Sequence, residues 1–112
     1  MEDRLIEFAS QVIDVVEALP QTSAGKHIGG QMLRSGTSPA LNYGEAQAAE
    51  SRSDFIHKMK ICLKELRETL VCQKIIVKRK WFPEGKLDFL LAENNELVAI
   101  FIASTKTAVS KK

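Results

Sequence analysis

Cysteine and histidine are scarce in this chain of 112 residues, with two of each. Cys62 and Cys72, placed on one helix, would stand roughly 15 Å apart along its axis at ~1.5 Å per residue. That separation excludes a disulfide within the chain. Together with the distant His27 and His57 they form no metal-ligand spacing, so no metal or cofactor is expected. Long apolar runs are also missing: nothing approaches the ~18 consecutive residues of a membrane span. The opening "MEDRLIEF" places acids where a secretory leader needs bases, so a cytoplasmic location is expected. No alternating apolar–polar run is long enough for a strand, and there is no repeat or low-complexity tract.

What is present is helical periodicity, sized for one domain over residues 1–112. Leu5, Phe8, Ala9, Val12, Ile13, Val16 and Leu19 follow the spacing of an amphipathic helix that Pro20 ends. Thr22 or Ser23 then caps a second helix running from about Ala24 to Ala49. Ser51, with Asp54 three residues on, forms a capping box for a third helix reaching about Arg79. Its apolar stripe reads Phe55, Ile56, Met59, Cys62, Leu63, Leu66, Leu70, Ile76 and Val77. The segment "WFPEGK" is a turn, and a fourth helix follows with Leu87, Leu90, Leu91, Leu97, Val98, Phe101 and Ile102. Four helices with short connections predict an all-α, antiparallel up-down-up-down four-helix bundle.

The stretch "LRSGTSPALNYGEAQ" disturbs the second helix. Pro39 removes one backbone hydrogen bond and crowds the preceding turn, at about 3 kcal/mol. Ser38-Pro39 would suit the start of a fresh helix. A break there, however, leaves a short and marginal first half. We therefore expect one continuous helix kinked near Pro39. At roughly 100° per residue, Arg34, Ser38, Asn42 and Glu45 share a face beside an apolar arc. That column is either solvated or a polar layer that fixes helix register. An antiparallel third helix would set Glu65 or Glu68 across from Arg34. The column has no histidine, nucleophile or metal ligand, so a non-enzymatic protein is expected.

Charge is unevenly spread. Residues 52–80 hold nine Lys/Arg against three Asp/Glu, while the rest of the chain is mildly acidic and the whole carries +2. Lys60, Lys64, Arg67, Lys74 and Lys78 fall on one flank of helix three, spanning roughly 27 Å at ~1.5 Å per residue. Such a line suits nucleic acid, RNA or DNA, by tracking phosphates. Ile61, Val71, Cys72 and Ile75 also lie off the predicted core face. A helix apolar on more than one side meets more than one neighbour, so Ile61, Val71 and Ile75 mark an expected oligomer interface.

Several short elements carry a family resemblance. They are Arg34-Ser35, Thr37-Ser38, Asn42-Tyr43, Glu45-Ala46, Asp54 to Lys58, and Lys64-Glu65 with Glu68-Thr69. The match is looser over "NNELVAIFIASTKTA". In these residues the chain resembles the bacterial four-helix bundle family encoded in 23S rRNA intervening sequences. That family is similar to the accessory variability determinant of diversity-generating retroelements. The resemblance implies a left-handed bundle assembled into a ring, typically a homopentamer. It also implies nucleic-acid binding through basic surface and, in the retroelement member, a reverse transcriptase as partner. The alternative is a structural protein–protein interaction module, with lysines that only keep the assembly soluble.

Overall fold

In the computed structural model, which describes residues 1–111, four helices follow one another: α1 (Glu2–Glu17), α2 (Ser23–Gln47), α3 (Arg52–Arg79) and α4 (Asp88–Ser110). The caps form where the side chains dictate. The Gly25 N–H donates to Thr22 Oγ1 at 3.1 Å, and the Asp54 N–H donates to Ser51 Oγ at 3.1 Å. Each gives a partner to one amide left open at a helix start. Lys80 ends α3 in the left-handed conformation at φ 56°. α1 stops two residues before Leu19, and α2 stops two before Ala49. Among the described residues no helix is long and apolar enough to cross a membrane.

Each helix packs on its chain neighbours, and α4 closes on α1 through the thinnest of the four seams. α1 and α3 therefore sit diagonally, as do α2 and α4, and the rod measures 47 × 21 × 21 Å. This is the up-down-up-down four-helix bundle that the sequence predicts. The centre holds Leu5, Phe8 and Val12 of α1, Met32 of α2, Leu66 and Ile76 of α3, and Leu97 and Phe101 of α4. Tyr43 meets Phe101 edge-on, with ring centroids 6.1 Å apart.

α2 runs through Pro39 without interruption and does not restart at Ser38. The proline ring is fully buried, which offsets part of its cost to the helix. Just before it, Thr37 Oγ1 donates to the Leu33 carbonyl at 2.7 Å and Ser35 Oγ to the Met32 carbonyl at 3.4 Å. The Cys62 thiol donates to the Pro39 carbonyl from α3 at 3.5 Å. Hydroxyls that bond back to helix carbonyls bend a helix slightly, and here they flank the position where the ladder lacks a donor. Gly36 lets α1 approach, and Gly25 makes room for the α1–α2 connection. A Cβ on Gly36 would sit 2.5 Å from Val12 Cγ1, and one on Gly25 would sit 2.0 Å from the Pro20 carbonyl oxygen.

The thin α1–α4 seam is held by a clamp that the sequence does not announce. Arg4 donates to both carboxylate oxygens of Glu93, at 2.8 and 2.7 Å, and reaches Glu96 at 3.0 Å. Hydrogen bonds from Arg4 hold the Glu93 carboxyl below the ordinary carboxylate range.

Candidate nucleic-acid interface

α3 is a helix of 28 residues with two faces that both advance by alternating steps of three and four. The inward row is Met59, Cys62, Leu66, Thr69, Gln73 and Ile76, all buried. The outward row is Lys60, Lys64, Arg67, Val71, Lys74 and Lys78, all exposed. Two members of the inward row are polar. Thr69 and Ser35 bring their hydroxyls to 2.8 Å across the α2–α3 seam. Across the α3–α4 seam the Gln73 amide donates to Asn94 Oδ1 at 2.9 Å, and the Asn94 amide donates to the Leu66 carbonyl at 2.9 Å. These bonds fix the rotation of α3 and so fix which side chains face solvent.

Lys60, Lys64, Arg67, Lys74 and Lys78 thus share one uncovered strip. None of them forms an ion pair among the described residues. Lys78 and Arg79 also lie in the last turn of α3, where the helix dipole favours positive charge. Val71 is 55% exposed in the middle of the strip, with Ile75 beside it at 39%. Ile61 is half-buried. Cys72, expected off the core, is buried instead, because α3 turns that side toward the Arg34–Glu68 seam with α2. Leu70 and Val77, expected inside, are half-buried and exposed respectively, since Thr69 and Gln73 occupy the inward row.

The polar column of α2 divides. Arg34 reaches Glu68 at 2.6 Å and Glu65 at 3.3 Å, and it also donates to Gln31 at 3.1 Å. Glu45 pairs with Lys58 at 3.1 Å, away from Arg34. Asn42 turns back on its own helix, donating to Ser38 Oγ at 2.8 Å. The Arg34 side chain is 55% exposed and that of Glu65 only 9%. Arg34→Ala should therefore cost about 1–2 kcal/mol, between an exposed pair and a stranded buried charge. Chemical denaturation checks this, with Lys78→Ala as a control that should change almost nothing. Burial disfavours both thiolates: it pushes Cys62 up to about 12 and raises Cys72 as well.

The family model for 23S rRNA-intervening sequence proteins matches residues 3–103. The chain belongs to this family. Its bundle is also similar to the crystal structure of a protein of unknown function from the S23 ribosomal protein family of Bacteroides thetaiotaomicron. The two are 30% identical with a TM-score of 0.86, over 94% of this chain and 97% of that one. No curated protein matches the chain. The family match spans all four helices, including α1, which carries none of the motifs that signal the family in the sequence.

Proposed function

We propose that this 23S rRNA-intervening sequence protein binds nucleic acid through the outward face of α3, without catalysing a reaction on it. The observation that carries this reading is the strip of Lys60, Lys64, Arg67, Lys74 and Lys78, exposed and without ion-pair partners among the described residues. The five cations lie along roughly 27 Å at ~1.5 Å per residue, on a helix that buried hydrogen bonds hold in one rotation. A straight row of flexible cations suits the phosphate backbone and reads no base edges, so binding is sequence-tolerant. Neutralising about five phosphates releases their counterions, and affinity should fall roughly 100-fold or more between about 50 and 200 mM salt.

An electrophoretic shift with pooled RNA and DNA fragments at low salt tests the proposal. We expect a shift at micromolar protein that the triple change Lys60→Glu, Lys64→Glu and Arg67→Glu abolishes. No shift, or a shift untouched by the triple change, overturns it. The substitutions are on exposed side chains, so a circular dichroism spectrum unchanged from the parent separates lost binding from lost folding.

A further inference from the structure

The cationic strip ends beside a cavity that phosphate contacts leave unused. A space of about 520 Å³ lies between the last turns of α3 and the α3–α4 connection. Val77, Phe82 and Leu87 supply its apolar wall, and Lys80, Glu84 and Asp88 supply its polar groups. The volume falls in the range of small-molecule sites, roughly 300–1,000 Å³. Lys78, the last cation of the strip, stands in the chain between Val77 and Lys80. The wall is held in shape from several sides. Phe82 packs on the core. The Lys86 N–H donates to the Pro83 carbonyl at 3.1 Å, and the Asp88 N–H donates to the Gly85 carbonyl at 3.2 Å. Gly85 makes the bend at φ 85°, where a side chain would be strained. Glu84 and Asp88 are exposed and form no ion pair among the described residues.

We propose that this cavity takes one unstacked base of a single strand whose phosphates lie along the α3 strip, and that it favours bases carrying an exocyclic amino group. The base site rests on the nucleic-acid reading above and narrows it to single strands. A duplex keeps its bases stacked and paired, whereas a single strand can splay one out. Every base has a flat π-face, and the Phe82 ring in the wall offers it a stacking partner. Phosphate does not suit the cavity, because two carboxylates there outnumber one ammonium and repel it. The same carboxylates accept hydrogen bonds from the amino groups of cytosine, adenine and guanine, while thymine and uracil have no amino group to offer. Lys78, Arg79 and Lys80 are exposed beside the cavity and are at hand for the phosphates that flank the entering base. Continuity with the uncovered cationic row is what selects a nucleic acid over an apolar peptide as the occupant. The row itself stays indifferent to sequence, and only the base in the cavity is read.

Fluorescence anisotropy with four labelled probes of equal length at low salt tests this: oligo(dC), oligo(dT), an abasic strand and a duplex. The abasic strand keeps the phosphates and lacks the bases. We expect oligo(dC) to bind roughly tenfold more tightly than the abasic strand, the usual worth of one stacked base. It should bind about fivefold more tightly than oligo(dT). Phe82→Leu keeps an apolar side chain against the core and removes the ring. It should erase the advantage of oligo(dC) over the abasic strand and leave abasic binding unchanged. The double change Glu84→Ala with Asp88→Ala should erase the preference for oligo(dC) over oligo(dT). It should also strengthen abasic binding, because two repelling charges are gone. Oligo(dC) and the abasic strand binding alike, or a base advantage that survives Phe82→Leu, overturns the base site and leaves the nucleic-acid reading standing. A cytosine preference that survives the double change overturns the role of the carboxylates. No binding of any probe overturns the base site and the nucleic-acid reading together. Circular dichroism spectra matching the parent confirm that the variants remain folded.

Discussion

Asn94→Ala should destabilise the bundle by about 3–4 kcal/mol, a fall of roughly 10–20 °C in Tm for a domain of this size. Asn94 is wholly buried in α4 and serves two groups of α3 at once. Truncating it removes the acceptor for the Gln73 amide and the donor to the Leu66 carbonyl, and it leaves a cavity. Gln73 Oε1 already has no partner among the described residues, and the Gln73 amide would keep only its long contact to the Leu90 carbonyl at 3.5 Å. Each buried polar group left without a partner costs about 1–3 kcal/mol. The double change Gln73→Met with Asn94→Leu should recover most of the loss, because neither position then carries a polar group to desolvate. Urea denaturation of the parent, the single variant and the double variant measures all three. A cost below about 1 kcal/mol for Asn94→Ala would mean that water reaches this layer.

Glycine-to-alanine changes along α2 should split by sign. Gly30 and Gly44 have nothing within 4 Å of an added Cβ. There the substitution supplies helix propensity and narrows the unfolded ensemble, for a gain of about 0.5–1 kcal/mol. At Gly36 the new carbon meets Val12 Cγ1 at 2.5 Å and Cγ2 at 2.8 Å. Valine is stiff at χ1 and this one is fully buried, so it has little room to yield. Overpacking of this kind costs about 1–3 kcal/mol. At Gly25 the obstacle is backbone, the Pro20 carbonyl oxygen at 2.0 Å, so the α1–α2 connection itself must move. We expect that variant to lose the most, about 3 kcal/mol or more. Thermal melts of the four variants decide the matter, and a uniform sign across them would refute the α1–α2 packing. Adding Val12→Ala to Gly36→Ala should return part of the loss, since it deletes both clashing carbons.

Those results bear on how far the sequence foretells the molecule. The four helices, their order and the caps at Thr22 and Ser51 are legible because they depend on neighbours within a turn or two. The continuity of α2 through Pro39 follows from the weakness of a short isolated helix, again a local argument. Arg34 facing Glu65 and Glu68 is legible too, since it needs only an antiparallel hairpin. The α3 core face is misread at Leu70 and Val77 and, in the opposite sense, at Cys72. Counting apolar residues selects Leu70 and Val77, whereas the structure turns Thr69 and Gln73 inward and satisfies them or leaves them tolerated. A polar residue on a core row carries no sign of its burial until its partner is known, and Asn94 lies 21 residues from Gln73. Arg4 and Glu93 are 89 residues apart, and a surface-looking arginine in an acidic helix gives no hint of that partner. The spacing of the α3 cations is read directly, because a solvent face needs no partner to define it.

The thin seam between α1 and α4 makes the molecule less a closed tube than a strip of four helices rolled until its two edges meet. Lifting one edge breaks the Arg4 contacts and exposes the interior, yet it leaves the α2–α3 hairpin and its buried hydroxyls intact. Opening events of that kind are cheaper than global unfolding. Amide protons of α1 and of the outer turns of α4 should thus exchange ahead of those in the hairpin, with the chain breathing from its margins inward.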